Sequence, residues 1–145
     1  MSVDLQPSGQ HIEPTDDVEP AEDDFLGWFQ RGLKFAQLGF PDRAAEAFET
    51  AEVIEPEDAT LQFNLGTAYL SLGNFVQAVT NLDRAIRLDP FNSDAYGNRA
   101  VANAALGQEN LVADDVEKAI SLGAPPEGIE SVLTYVRERV NPDQD

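Results

Sequence analysis

A 34-residue spacing between similar side chains is the feature that most limits what this chain of 145 residues can fold into. Pro56 and Pro90 stand one such period apart, and aligning them brings Leu38-Gly39, Leu72-Gly73 and Leu106-Gly107 into register. Before each of these pairs, large apolar side chains recur at intervals of three and four residues, which is the period of one helix face. A fixed period of this length indicates an array of stacked helical hairpins.

The register predicts three consecutive units, at residues 25–58, 59–92 and 93–126, with Asp58 and Asn92 as N-caps of the helices that follow them. The eighth position of every unit holds a small residue: Gly32, Gly66 and Ala100. Glycine inside a helix costs about 1 kcal/mol relative to alanine. We therefore expect these positions to lie where a second helix packs closely.

The fourth position of the units holds Trp28, Gln62 and Tyr96, and the pattern continues with Ala44 and Phe48 in the first unit. Over residues 25–126 the sequence resembles the tetratricopeptide-repeat family, whose pattern is W-x2-L-G-x2-Y followed by A-x3-F and a later A and P. Arg31 and Arg99 depart from it, because they stand where the family usually has leucine. The resemblance implies an all-α, right-handed superhelical solenoid that binds another protein and is not an enzyme.

Two further segments flank the predicted units. Residues 1–24 contain eight acids, three prolines and no lysine or arginine, a composition that predicts a disordered acidic tail. Residues 127–140 carry an apolar stripe formed by Ile129, Val132, Leu133, Val136 and Val140. We expect them to form a helix that caps the third unit, and we expect residues 141–145 to be disordered.

In the family, the first helix of each hairpin lines a concave surface. The family's register implies eighteen lining positions, namely Leu26, Phe29, Gln30, Leu33, Ala36, Gln37, Thr60, Phe63, Asn64, Thr67, Leu70, Ser71, Asp94, Gly97, Asn98, Val101, Ala104 and Ala105. Asp94 is the single charged residue among them, although 25% of the chain is charged. Clustered apolar side chains beside amides are typical of a groove that binds a peptide or a helix.

We therefore predict a binding groove for a partner peptide or helix with apolar anchors. Its residues are Phe29, Gln30, Leu33, Phe63, Asn64, Thr67, Leu70, Asn98 and Val101. Asn64 and Asn98 can donate to and accept from a partner backbone. The alternative is that these two amides only form hydrogen bonds to neighbouring helices.

Cochaperones of this family bind a C-terminal carboxylate through a clamp of lysine, arginine and asparagine. The corresponding positions here hold Phe29, Leu33, Asn64, Asp94 and Asn98, so only Asn64 matches. A carboxylate would meet Asp94 and no cation. The sequence therefore predicts that the chain is not a carboxylate-clamp cochaperone.

Composition argues against several other kinds of partner and cofactor. The formal net charge of −18 disfavours nucleic acid as a partner and an anionic membrane surface. The chain has no cysteine and one histidine, His11, and no catalytic or phosphate-binding motif, so we expect no cofactor and no metal. Asp114 and Asp115 are neighbours on a helix, and we expect them to form a solvated face.

No signal peptide or membrane-spanning stretch is evident in the sequence, so we expect a cytoplasmic protein. An adaptor or assembly factor is the predicted function, and a self-associating scaffold or homo-oligomer is the alternative. The acidic tail is open to three interpretations: a spacer, an autoinhibitor of the groove, or part of the binding site.

Overall fold

The computed structural model describes residues 18–140, and this part of the chain is helical, without strands. Residues 1–17 of the predicted tail and the predicted disordered end at 141–145 lie outside the described residues. The helices are α1 (Phe25–Gln37), α2 (Pro41–Ile54), α3 (Ala59–Ser71), α4 (Phe75–Leu88), α5 (Ser93–Ala105), α6 (Val112–Ser121) and α7 (Pro126–Arg139), with a 3₁₀ turn at Glu109–Leu111 before α6.

The first six helices form three antiparallel pairs, α1 with α2, α3 with α4 and α5 with α6. Their first helices begin at Phe25, Ala59 and Ser93, each one 34-residue period after the last. The predicted all-α helical repeat fold is confirmed. A left-handed glycine joins the two helices of each pair, with φ of 83° at Gly39, 77° at Gly73 and 76° at Gly107. Other residues rarely adopt this backbone conformation.

Side-chain caps start the first helix of each pair. Asp58 accepts a hydrogen bond from the Leu61 backbone N–H at 2.8 Å, which confirms the predicted cap. Asn92 caps α5 in the same way, with a bond of 3.2 Å from the Ala95 N–H. Asp24, one period before Asp58, caps α1 through the Gly27 N–H at 2.8 Å, and the sequence argument did not identify it. Such a cap stabilises a helix by about 1 kcal/mol.

Close packing explains the glycines inside α1 and α3, as predicted. A Cβ atom at Gly32 would overlap the ring of Phe48, and one at Gly66 would lie 2.9 Å from Cγ of Leu82. Phe48 and Leu82 are themselves fully buried. The close approach of the second helix therefore offsets the intrinsic cost of glycine in a helix.

α7 packs against α5, and its buried residues are Leu133, 1% exposed, and Val136, 7% exposed. Ile129 is partly buried beside them. The prediction is wrong for two other members of the apolar stripe, since Val132 is 46% exposed and Val140 is 41% exposed. A helix that packs on one neighbour buries a narrower strip than its apolar residues mark out.

Candidate functional site

The predicted groove residues lie on α1, α3 and α5, and we call this set of nine residues the lining surface. Adjacent first helices meet along it. Nδ2 of Asn98 on α5 donates to Oγ1 of Thr67 on α3 at 3.0 Å. Thr67 Oγ1 also donates to the Phe63 carbonyl one turn earlier, at 2.9 Å. The structure therefore brings the predicted residues of the second and third units together.

At the α1 end of the lining surface, Phe29 and Leu33 are partly buried and pack against the first core cluster. The Phe29 ring stacks on Phe25 with centroids 6.0 Å apart and lies 5.8 Å from the ring of Phe48. Gln30 is exposed and borders a separate cleft of about 320 Å³ beside Lys34. Both apolar residues thus contribute to the core while part of each side chain stays accessible.

On α3, Phe63 and Leu70 are also partly buried, and both pack against the core cluster that contains Ala78 and Leu82. Asn64 Nδ2 donates to the Thr60 carbonyl of its own helix at 2.8 Å. The two predicted amides therefore differ. Asn98 joins two helices, whereas Asn64 makes no hydrogen bond to another helix among the described residues.

Val101 differs from the other predicted residues in being buried. It is 9% exposed and belongs to the core cluster that contains Leu133 and Val136 of α7, and Leu70 of α3 packs against the same core cluster. Ala104 and Ala105, two further lining positions, are buried in the same cluster. The accessible part of the lining surface is consequently formed by α1, α3 and the start of α5.

A buried polar network joins the first and second units, and sequence reasoning did not find it. Gln62, at the usual tryptophan position, is fully buried. Its Nε2 donates to Glu52 at 2.8 Å and to the Pro56 carbonyl at 3.0 Å, and its Oε1 accepts from Asn81 at 2.8 Å. The one sequence signal was an amide in a position that the pattern reserves for an aromatic ring.

A second polar contact between these units involves Tyr69, whose hydroxyl donates to Oε1 of Glu49 at 2.6 Å. Burial and this hydrogen bond raise the pKa of Tyr69 well above that of a free tyrosine. The hydroxyl therefore stays protonated across the physiological range and keeps donating to the carboxylate.

Arg99 on α5 forms ion pairs both within the third unit, with Asp115, and across to the second unit, with Asp83. Its guanidinium makes a bidentate pair with Asp115, at 2.8 and 2.7 Å, and reaches Asp83 at 2.9 Å. Hydrogen bonding to Asp115 raises the pKa of Arg99 above its ordinary value. The expectation of a solvated face at Asp114 and Asp115 is wrong for Asp115, which is 6% exposed, whereas Asp114 is exposed.

Arg31 occupies the position of Arg99 in the first unit but has different neighbours. Its guanidinium lies 5.8 Å from the ring centre of Trp28 and 5.4 Å from that of Phe35. Its Nη1 atom is buried and has no hydrogen-bond partner. The residue that corresponds to Asp115 is Ala47, which cannot accept a hydrogen bond through its side chain.

Metal-ligating side chains do not come together in the part of the chain that the structure describes: no three histidine, cysteine, aspartate or glutamate residues form a group suited to an ion. Among the helices of residues 18–140, none has the length and apolar character needed to cross a membrane.

Comparison with known sequences places this geometry in a family. A family model described as tetratricopeptide repeat matches residues 29–93 and again residues 63–122. Protein FlbA of Caulobacter vibrioides is 31% identical over 118 residues, which is 81% of this chain and 20% of FlbA. The chain thus spans about a fifth of the length of that curated relative.

Solved tetratricopeptide-repeat (TPR) domains share the fold. The second TPR of Spaghetti (RPAP3), bound to the HSP90 peptide SRMEEVD, is 28% identical with a TM-score of 0.66, covering 70% of this chain and 94% of that one. The second TPR domain of human RPAP3, in complex with the HSP70 peptide SGPTIEEVD, is 25% identical with a TM-score of 0.69, covering 79% and 95%. Since the family model also matches more than half of the residues, the chain belongs to the tetratricopeptide repeat family.

Proposed function

We propose that this chain is a protein-interaction adaptor that binds a peptide or helix of a partner on its lining surface, through apolar anchors and without catalysis. The observation that carries the proposal is the contrast in charge. The chain has 27 acidic residues, yet Asp94 is the single charged residue among the eighteen lining positions. An uncharged, partly apolar surface on a highly charged protein is typical of a binding site.

The structural neighbours support a peptide ligand. Two RPAP3 domains that are at least 25% identical to this chain bind chaperone peptides. Phe29, Leu33 and Phe63 supply partly accessible apolar surface on α1 and α3, and Asn64 lies beside Phe63 with its amide bonded to its own helix alone. A segment with two apolar side chains one or two helical turns apart fits this arrangement.

The ligand that we propose differs from the peptides of these neighbours. Both peptides end in Glu-Val-Asp. At the clamp positions this chain has Phe29 and Leu33 in place of polar donors, and Asp94 in place of a cation. Repulsion by Asp94 and the net charge of −18 oppose an acidic C-terminus. We propose a neutral or basic segment with apolar anchors.

Selection of peptides from a random displayed library on the full chain provides the probe for a test. Fluorescence anisotropy then gives the Kd of a selected peptide for the wild type and for Phe63→Ala. Truncating a central aromatic anchor typically costs at least about 2 kcal/mol, so we expect the Kd to rise roughly thirtyfold or more. The peptide SRMEEVD should bind far more weakly than the selected one.

Val76→Ala on α4 is the matched control, because Val76 is 64% exposed and lies outside the lining surface. It should leave the Kd unchanged. Phe63 also packs against the core, so circular dichroism must show that Phe63→Ala remains folded at the assay temperature. Retention of full affinity by a folded Phe29→Ala, Phe63→Ala double variant would contradict the proposal. Sedimentation showing that the chain binds the peptide only when it self-associates would also contradict it.

A further inference from the structure

A cleft of about 450 Å³ opens between α6 and α7, on helices that do not contribute to the lining surface. Its floor is apolar and includes Val116, Ile120 and Leu133. Two acids, Glu117 and Glu130, also line it. The lining surface is formed by α1, α3 and α5, so this cleft is a second, separate surface of the molecule.

The 34-residue register identifies what normally covers such a floor. Val116 stands one period after Leu82 and two periods after Phe48. Phe48 and Leu82 are fully buried, whereas Val116 is partly buried. In the first two units the second helix also packs on the first helix of the next unit, α2 on α3 and α4 on α5. In the third unit α7 packs on α5 and leaves this side of α6 partly uncovered.

α7 corresponds by register to the first helix of a fourth unit. Leu133 stands two periods after Leu65, and Glu130 stands two periods after Gln62. Gln62 is fully buried, with hydrogen bonds to Glu52 on α2 and Asn81 on α4, whereas Glu130 is exposed. Residues 18–140 supply no helix that packs on α7 as α4 packs on α3. α7 packs on α5 and does not pack on α6 as α5 packs on α4, so the cleft is a space between α6 and α7 that an added helix can fill.

The charges around the cleft indicate the chemistry of that helix. Arg137 is paired with Glu109 at one end, through bonds of 2.9 and 2.8 Å. Glu117 and Glu130 form no salt bridge with a described lysine or arginine. A second copy of a chain with a net charge of −18 would bring like charge to this surface. A basic helix satisfies both acids and covers the apolar floor.

We propose that the α6–α7 cleft binds a basic amphipathic helix of a partner protein, which packs its apolar face on Val116, Ile120 and Leu133 and directs lysine or arginine toward Glu117 and Glu130. The partner helix fills the space between α6 and α7. This adds an interaction site at the end of the array that works independently of the lining surface.

The probe for a test is a fluorescein-labelled 18-residue helical peptide of leucine and lysine in a 3.6-residue pattern, titrated with the full chain in 150 mM NaCl. Charge reversal in the double variant Glu117→Lys, Glu130→Lys should raise the Kd of the peptide at least tenfold. The matched control is Glu55→Lys, Glu57→Lys, which reverses two exposed acids between α2 and α3 and should change the Kd less than twofold. Ile120→Asp, at a residue 37% exposed, should also weaken binding.

Amide NMR shifts caused by the peptide should map to α6 and α7. Equal loss of affinity in the two charge-reversal variants would overturn the proposal, since binding would then follow overall charge. Shifts confined to α1 and α3, or equal binding of a leucine–glutamate peptide of the same pattern, would also overturn it. So would a dimer of the chain alone that Ile120→Asp dissociates, because a second copy would then occupy the cleft.

Discussion

At the scale of single residues, equivalent positions of different units have acquired different chemistry. Arg31 and Arg99 stand two periods apart in the sequence, both in place of the usual leucine. Arg99 forms a bidentate pair with the buried Asp115, whereas the first unit has Ala47 at the corresponding place. The same substitution is therefore part of an ion pair in one unit and leaves an unsatisfied buried donor in the other.

Replacing each arginine by leucine should separate these two situations. Arg99→Leu leaves the carboxylate of Asp115 buried without its main partner, and loss of one member of such a pair costs about 3 kcal/mol. Arg31→Leu removes an unsatisfied buried donor, which by itself should raise the free energy of unfolding by about 1 kcal/mol. It also removes the contacts of the guanidinium with Trp28 and Phe35, so the net change should lie between zero and that gain. Urea denaturation of both variants measures the difference.

Each variant is the control for the other, because both place leucine in the same register position. Equal destabilisation by the two substitutions would show that the pairing with Asp115 contributes nothing beyond the packing of the arginine stem. A variant in which Asp114, the exposed neighbour, becomes asparagine should unfold like the wild type.

The sequence marked Arg99 as a departure from an apolar pattern, whereas Gln62 was placed in register without being identified as one. The partners of Gln62 and Arg99, which are Asn81 and Asp115, lie 19 and 16 residues further along, on the opposite helix of the hairpin. Which acid of Asp114 and Asp115 turns inward depends on the rotation of α6 about its axis. Periodicity does not fix that rotation to within one residue.

At the scale of helices, prediction succeeded where a local rule applied. Helix starts at Asp58 and Asn92 follow from capping chemistry. The buried strip of α7 could not be predicted in the same way, because it depends on the neighbour against which α7 packs. Leu133 is 1% exposed and the adjacent Val132 is 46% exposed, although both belong to one apolar stripe.

Leu133→Ala should therefore destabilise the chain far more than Val132→Ala. Truncation of a buried leucine costs about 2–5 kcal/mol, whereas the same change at an exposed residue alters stability by about 0.5 kcal/mol or less. Thermal unfolding followed by circular dichroism measures both.

A chain ending at Pro126 should have a still lower melting temperature and should aggregate, because removal of α7 exposes apolar surface of the third unit. Unchanged melting temperatures of this chain and of Leu133→Ala would show that α7 does not dock.

At the scale of the whole molecule, the repeat array followed from the 34-residue period, while the extent of the candidate site did not. The family register assigned eighteen positions to one surface, but Val101, Ala104 and Ala105 among them are buried in the core cluster that contains Leu133 of α7. The angle at which a last helix leaves its hairpin depends on packing between distant residues. A register taken from the sequence contains no information about that angle.

Because the net charge is −18, the sign of the change in melting temperature with salt concentration can be predicted. The chain has nine lysines and arginines against 27 acidic side chains, so repulsion among carboxylates destabilises the folded state. Local ion pairs such as Arg99–Asp115 act in the opposite direction and stabilise it. Raising NaCl from 10 to 150 mM shortens the Debye length from about 30 Å to about 8 Å. This screens repulsion between distant exposed acids more than it weakens the buried pair. The melting temperature at pH 7 should therefore rise over this interval, and choline chloride should reproduce the rise if screening is its cause. A fall in the melting temperature would mean that the ion pairs outweigh the self-repulsion of the acidic surface.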